Sequence, residues 1–319
     1  MIIENSKNIP FALQVWLAAD NYDYHPEEKY LSATTLLKSP REIILERRLD
    51  TSNLTADIEN AIARVLGNSI HAGIESAWLN NLPQALKALG QENISKMFAV
   101  NPKEGEDITN KIPVYMEQRA TKQIDGFTIG GKFDFVANGT LHDFKTTSVY
   151  TYMYGDRIEE YKKQGSIYRW LNQDKIKDDF IRICYIFTDW QKSEAARNPK
   201  YPQCRCVAEE YKLLPIPEVE QFIRNKLAVL SRYWDKLDSE IPECTDEELW
   251  LSKTQYKYYS NPENTRATKN FDVYGDAIAF QKSKGGKGVV ITVPGAPQHC
   301  NYCNAAPICQ QRKRICKDD

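Results

Sequence analysis

The sequence predicts an α/β fold, with a mixed central sheet flanked by helices and a loop-rich C-terminal region. Three observations predict it. An Asn-Gly pair at 138–139 joins two alternating runs, the strongest short-range hairpin signal, because a type I′ turn needs φ > 0 twice. The element order reads helix, three meander strands, helix, strand, which suits a mixed sheet. Four cysteines, Cys300, Cys303, Cys309 and Cys316, then crowd into 17 residues near the C-terminal end.

Taken in order, Leu31–Leu49 reads as a helix start followed by a helix, with Ser32 as its cap. Residues 55–80 carry helical spacing through Ile58, Ile62, Leu66, Ile70 and Ile74. Asn101–Lys111 is a polar loop, and "IPVYMEQRA" after it is a first strand. The Asn-Gly hairpin supplies two more. Arg157–Gln173 is an amphipathic helix, Ile181–Trp190 a buried strand rich in β-branched and aromatic residues, "CRCVAEEYKL" another candidate strand, and Glu218–Leu237 a helix. This divides the chain into an N-terminal helical region over 1–100, a core over 101–240 and a C-terminal region over 241–319.

The hairpin "GGKFDFVANGTLHDFKTTS" places Ala137 opposite Thr140, Val136 opposite Leu141, Phe135 opposite His142 and Asp134 opposite Asp143. Alternation gives Phe133, Phe135 and Phe144 one face, and Asp134, Asp143 and Lys145 the other. Carboxylates opposed at about 4.5–5.5 Å repel each other. They need a proton, a cation or a metal between them. A hard divalent cation with oxygen ligands is the sharper reading, and a solvated face the blander one.

Composition narrows the class. The chain has 319 residues, 42% hydrophobic and 27% charged, with a formal net charge of −1. That supports a sizeable core and requires any contact with nucleic acid to come from local basic patches. No apolar run approaches the roughly 18 residues of a membrane span. The N-terminal segment lacks the basic-then-apolar order of a secretory signal, so the expected location is the cytoplasm, where clustered cysteines hold metal more readily than disulfides.

Other segments carry weaker signals. His71 and Glu75 in "GNSIHAGIE" lie one helical turn apart. A lone helical histidine is more often structural than a ligand. Gln164 and Tyr168 share a helix face. "KTQYKYYS" (Lys253–Ser260) interleaves Lys253 and Lys257 with Tyr256, Tyr258 and Tyr259, which suits a single strand stacked on rings, or equally a tyrosine-rich surface loop. "KSKGGKG" lacks the phosphate-loop spacing and reads as a flexible basic loop. Cys184, Cys204, Cys206 and Cys244 read as core or strand cysteines.

"SATTLLKSPREIIL", "GNSIHAGIE", "GGKFDFV", "LHDFKTTS" and "QGSIY", in that order and followed by C-x2-C-x5-C, resemble the RecB-like branch of the PD-(D/E)XK nuclease superfamily. The resemblance implies a restriction-endonuclease-like core and a metal-dependent DNA exonuclease of recombination, repair or phage DNA metabolism. It implies that His71, Asp134 and Asp143 bind a catalytic Mg²⁺ or Mn²⁺ with the backbone carbonyl of Phe144. Lys145 is then the motif lysine, Gln164 and Tyr168 support the site, and Glu117 matches a recurrent acidic position. Its iron–sulfur members carry an upstream cysteine where this chain has Ser39. Cys300, Cys303, Cys309 and Cys316 would then hold a [4Fe-4S] cluster or Zn²⁺, with Cys316 as the substitute ligand. Arg266, Lys269, Lys282, Lys284 and Arg312–Arg314 are candidate backbone contacts. The implied partners are DNA, single-stranded or with a free end, and a recombination or annealing protein. The rival expectation is a nucleic-acid-binding or regulatory protein stabilised by its metal centre, without nuclease activity.

Overall fold

The structure is a computed structural model and describes residues 2–19, 25, 27–52, 54–155 and 157–316. In chain order its main elements are β1 (Ile2–Glu4), α1 (Phe11–Ala18), β2 (Tyr30–Ser32), α2 (Pro40–Glu46), β3 (Thr55–Asp57), α3 (Ile62–Asn80), α4 (Leu82–Ala88), β4 (Phe98–Val100), β5 (Ile112–Ile124), β6 (Phe127–Ala137), β7 (Thr140–Thr147), α5 (Val149–Tyr154) and α6 (Ile158–Leu171). There follow β8 (Phe180–Phe187), α7 (Lys192–Arg197), β9 (Cys206–Lys212), α8 (Ile216–Tyr233), β10 (Gln255–Tyr259), β11 (Lys269–Phe271), α9 (Tyr274–Ser283), β12 (Val289–Val293) and α10 (Gln310–Ile315). No helix is long and apolar enough to cross a membrane.

The chain forms two compact units. One comprises residues 1–37 and 50–228, the other residues 38–49 and 229–319.

The first unit holds a mixed seven-stranded sheet in the order β4-β5-β6-β7-β8-β9, with β2 paired to β6 as well. Two tight turns shape it. Asn138 and Gly139 both have positive φ, 49° and 90°, as the hairpin reading requires. Asp125 and Gly126, at 49° and 79°, make the same kind of turn between β5 and β6. The β7–β8 pair is parallel, so the chain must cross over between them, and α5 and α6 do this. Strand β8 buries Ile181, Ile183, Tyr185 and Phe187 in strict alternation. Gly165 lets α6 approach the sheet, for a Cβ there would lie 2.7 Å from Ile181 Cδ1.

The sheet forks at β6. Along one edge, β2 pairs with Thr128–Gly130 and β7 pairs only with Phe135–Ala137. The register expected for the first three hairpin pairs is present. The fourth, Asp134 opposite Asp143, is absent: β7 leaves β6 after His142 and continues along β8 to Thr147. In place of a ladder bond, the Phe144 backbone N–H donates to Asp134 Oδ2 at 2.9 Å. Two carboxylates in a regular pair would repel, and the fork holds them at its mouth instead.

Helix α3 fills 62–80 of the 55–80 stretch that the periodicity marks, after β3 and a 3-10 turn at Ile58–Ala61, and the expected stripe is only partly inward: Ile58 is buried ahead of the helix, and Ile70 and Ile74 are half-buried. Val65 is buried and Trp78 packs on Phe98 and Phe135, while Ile62, Leu66 and Leu79 are exposed. His71 and Glu75, one turn apart, both face the cleft.

In the second unit α2 is capped by Ser39, not Ser32. Ser39 Oγ accepts from the Glu42 N–H at 3.1 Å, and Pro40 occupies the first helical position. Ser32 instead ends β2. Helix α2 is held by arginines: Arg41 pairs with Asp238 and donates to the Ile241 carbonyl at 3.0 Å, and Arg47 stacks 4.4 Å over Trp234. Loop-rich stretches surround a small sheet, β11-β10-β12, with α9 against it. "KTQYKYYS" is therefore the central strand of that sheet and not a loop. Tyr258 is buried against Phe280, its hydroxyl bonded to the Lys287 carbonyl at 2.9 Å.

Candidate active site

The fork of the first unit gathers most of the residues that the sequence singled out. They line a cleft of about 510 Å³ together with Trp16, Glu75, Arg119 and Lys132. Helix α3 contributes His71, whose Nε2 is 2.9 Å from the Phe144 carbonyl oxygen. Its Nδ1 faces Asp134 Oδ1 at 3.5 Å and Glu117 Oε1 at 3.7 Å. Strand β7 contributes buried Asp143, with Lys145 Nζ 2.7 Å from Oδ2. Helix α6 contributes Gln164, whose Oε1 is 3.5 Å from Lys145 Nζ and whose Nε2 donates to the Tyr168 hydroxyl at 2.8 Å. Phe144 takes part through its backbone, since its ring packs with Phe135 on the opposite, apolar face.

Glu117 is brought in by a backbone distortion. It lies across from Asp134 in the β5–β6 register, yet the two form no ladder pair, and Glu117 has φ of 51° inside a strand. A non-glycine residue held there costs on the order of 1–3 kcal/mol and persists where the surroundings fix it. Lys132 Nζ holds the outer oxygen of Glu117 at 2.6 Å. Sequence reasoning gave Glu117 only a tentative place and missed Lys132. Alternation along β6 could have found Lys132, since it shares a face with Asp134.

Two adjacent glycines make room. A Cβ on Gly131 would lie 2.9 Å from the Tyr168 ring, and one on Gly130 would collide with Tyr30. The "GG" before the first aspartate thus lets a tyrosine lie against the strand on either side of the fork.

The electrostatics describe a site short of positive charge. Burial, and then the nearby Asp143, push the Asp134 carboxyl up to about 7. Contact with Glu117 leads the effects that raise His71 to about 9, against burial. Burial opposes the charge on Lys145, but Asp143 and then Asp134 outweigh it and hold the ammonium above the ordinary lysine range. Burial alone would raise Glu117; His71 and Lys132 hold it below the usual carboxylate range. The upward shifts of His71 and Asp134 show that positive charge is favoured where a divalent cation would sit. His71, Glu117 and Asp134 offer ligand atoms within 4.8 Å of one another. Carboxylate oxygens, a carbonyl and one imidazole are a donor set that fits Mg²⁺ or Mn²⁺.

The second unit holds the cysteine cluster. A small cavity is lined by Cys244, Cys300, Cys303 and Cys309, with Ser39, Arg41 and Gln311 around them. Cys316 is not in that lining; it lies beside Cys300. Burial pushes the Cys300 thiol up to about 11 and the Cys303 thiol up to about 12. Nearby, His299 Nε2 meets Glu42 Oε2 at 2.8 Å, and Cys303 lies within 4.8 Å of both. Lys38 Nζ already pairs with Glu42 at 3.1 Å and Glu46 at 2.7 Å. Cys184 and Cys206 lie in β8 and β9. The expected backbone contacts are partly engaged elsewhere: Lys269 and Lys284 lie over Phe280, and Arg314 pairs with Glu243.

No family model and no curated protein matches the chain. Solved structures similar to it include one described as SSO0001, at 18% identity and a TM-score of 0.41, covering 74% of this chain and 92% of the other. A phage-related exonuclease from Haemophilus somnus 129PT is 16% identical with a TM-score of 0.28, covering 55% and 83%. An alkaline exonuclease (LHK-Exo) from Laribacter hongkongensis is 13% identical with a TM-score of 0.30, covering 71% and 97%.

Proposed function

We propose that this chain is a metal-dependent deoxyribonuclease of the PD-(D/E)XK superfamily, RecB-like branch, which digests DNA from an end. The observation that carries the reading is the fork between β6 and β7. Asp134, Asp143, Lys145, His71 and the Phe144 carbonyl converge there, and Lys145 Nζ lies 2.7 Å from Asp143.

His71, Asp134, Asp143 and the Phe144 carbonyl would hold the ion, with Glu117 within reach. A bound Mg²⁺ or Mn²⁺ supplies Lewis acidity at the scissile phosphate and lowers the pKa of a coordinated water. The chain's own residues do the rest. Lys145 carries a proton at neutral pH because uncompensated aspartates surround it. It therefore acts first as a donor, orienting the attacking water and stabilising charge on the pentavalent phosphate. Neutralising Asp134 and Asp143 removes what raises Lys145, which frees it to exchange a proton with that water. Gln164 holds Lys145 in place, and Tyr168 holds Gln164.

Attack from an end rests on the sequence resemblance, since Tyr258 is packed in a core and offers no ring to a strand. A recombination or annealing protein remains the proposed partner on the same ground.

The test is digestion of linear, single-stranded and covalently closed circular DNA, each with Mg²⁺, with Mn²⁺ and with EDTA. Linear and single-stranded DNA should be degraded only with metal, and closed circles should resist. Lys145→Ala should lower the rate by roughly two to four orders of magnitude. A wild-type rate for Lys145→Ala, or no digestion by the native chain under any condition, would refute the assignment.

A further inference from the structure

We propose that Cys244, not Cys316, supplies the fourth thiolate of the metal centre in the second unit, so that Cys244, Cys300, Cys303 and Cys309 form the ligand set. The centre is of the thiolate class, an iron–sulfur cluster or a four-cysteine zinc site.

Three observations place Cys244 there, and a fourth concerns its neighbour Cys309. It lines the same cavity as Cys300, Cys303 and Cys309, and Cys316 does not. Buried Gln311 grips its backbone from both sides: Oε1 accepts from the Cys244 N–H at 2.8 Å, and Nε2 donates to the Cys244 carbonyl at 3.0 Å. That grip joins the 241–252 loop to the segment bearing Cys309, two residues before Gln311. Ser39 Oγ lies 3.3 Å from Cys244 Sγ. Arg41 Nε donates to Cys309 Sγ at 3.3 Å. A guanidinium and a hydroxyl aimed at sulfur are the outer partners that steady thiolates at a metal.

Ordinary core cysteines do not need such partners. A buried thiol packs as a small hydrophobe, and its hydrogen bonds are weak. Charged Arg41 is almost wholly buried, and one of its donors is spent on a sulfur. The arrangement makes sense when that sulfur carries negative charge. Each thiol gives up its proton to solvent on ligation.

Among the described residues, no three of these sulfurs lie within 4.8 Å of one another. Tetrahedral Zn²⁺ with Zn–S near 2.3 Å sets its sulfurs at roughly 3.8 Å. A single zinc ion would require these sulfurs to draw closer together than they stand here.

The experiment uses full-length wild-type protein purified anaerobically, and separately reconstituted with iron and sulfide or with Zn²⁺. Metal per chain is measured, and each thiol is alkylated before and after chelator extraction and located by mass spectrometry. Cys244, Cys300, Cys303 and Cys309 should gain at least about tenfold in reactivity on extraction, while Cys316 reacts equally in both states. Iron with a visible charge-transfer band identifies the cluster; zinc alone identifies the single-ion site. Protection of Cys316 in place of Cys244 overturns the proposal, as does a protein that takes up neither metal. Cys244→Ser should lower metal per chain at least about tenfold, and Ser39→Cys added to it should restore the content, because the two side chains adjoin. Full metal in a folded Cys244→Ser protein also overturns it. If Cys244→Ser does not fold, the alkylation pattern of the wild type decides.

Discussion

An ionised Asp134 is costly in the metal-free protein. Its carboxyl is largely withdrawn from solvent beside Asp143 and pushed up to about 7, well above the value near 3.9 of a free aspartate. A raised carboxyl pKa means that its contribution to stability is fully present below the unfolded value and is lost as pH rises through about 7. Asp134→Asn keeps the acceptor for the Phe144 N–H and removes the charge. In EDTA, the variant should therefore melt higher than wild type at pH 8 and close to it at pH 4, while losing metal-dependent cleavage. Thermal melts at the two pH values check this. A variant less stable at pH 8 would mean that the carboxylate is held by partners stronger than Lys145 and His71. The same logic explains why the residue could be found in sequence: a charge in the middle of an apolar strand has to be used for something.

At the scale of elements, the hairpin was legible because its turn dictates backbone geometry, and Asn138-Gly139 allows little else. Asp125-Gly126 carries the same signal, and it extends β5 to Ile124, beyond the "IPVYMEQRA" run. The fork was not legible. Alternation assumes that a ladder continues, and nothing local says that β7 will leave β6 after His142 to follow β8. From sequence alone Cys244 reads as a core or strand cysteine, because the residues that share its cavity are distant in sequence. The paired glycines do have a local meaning, which yields a prediction. Gly131→Ala places a methyl 2.9 Å from the Tyr168 ring. The strand backbone cannot yield easily, so the ring must move and take Gln164 with it. The cost should be about 1–3 kcal/mol, as for overpacked cores, with cleavage falling along with stability. Denaturant unfolding and the cleavage rate measure the two. If Gly131→Ala is silent in both, Tyr168 and Gln164 do not support the site.

At the scale of the whole molecule, the chain's path matters more than any single contact. It leaves the first unit at residue 37, contributes α2 to the second, and returns at residue 50. Helix α2 buries Ile43, Ile44 and Leu45 at 4%, 0% and 2% exposure. Its polar side chains reach forward to Asp238, Ile241, Cys244, His299 and Cys309. A chain ending at Leu237 keeps every proposed catalytic residue and the whole of the seven-stranded sheet. It strips α2 of all those partners. Each large aliphatic side chain that loses its cover costs roughly 1.5–3 kcal/mol, a large share of the 5–15 kcal/mol that typically separates folded from unfolded domains. Arg41 and Glu42 would also lose the Asp238 and His299 side chains with which they pair. The truncated chain should therefore aggregate, or bind a hydrophobic dye strongly, despite its complete active site. Replacing Ile43, Ile44 and Leu45 with polar residues in the truncated chain should recover soluble protein with metal-dependent cleavage. Soluble yield, dye binding and a cleavage assay on the two chains decide the matter. A well-behaved, active truncation without those replacements would mean that α2 is stabilised within the first unit instead.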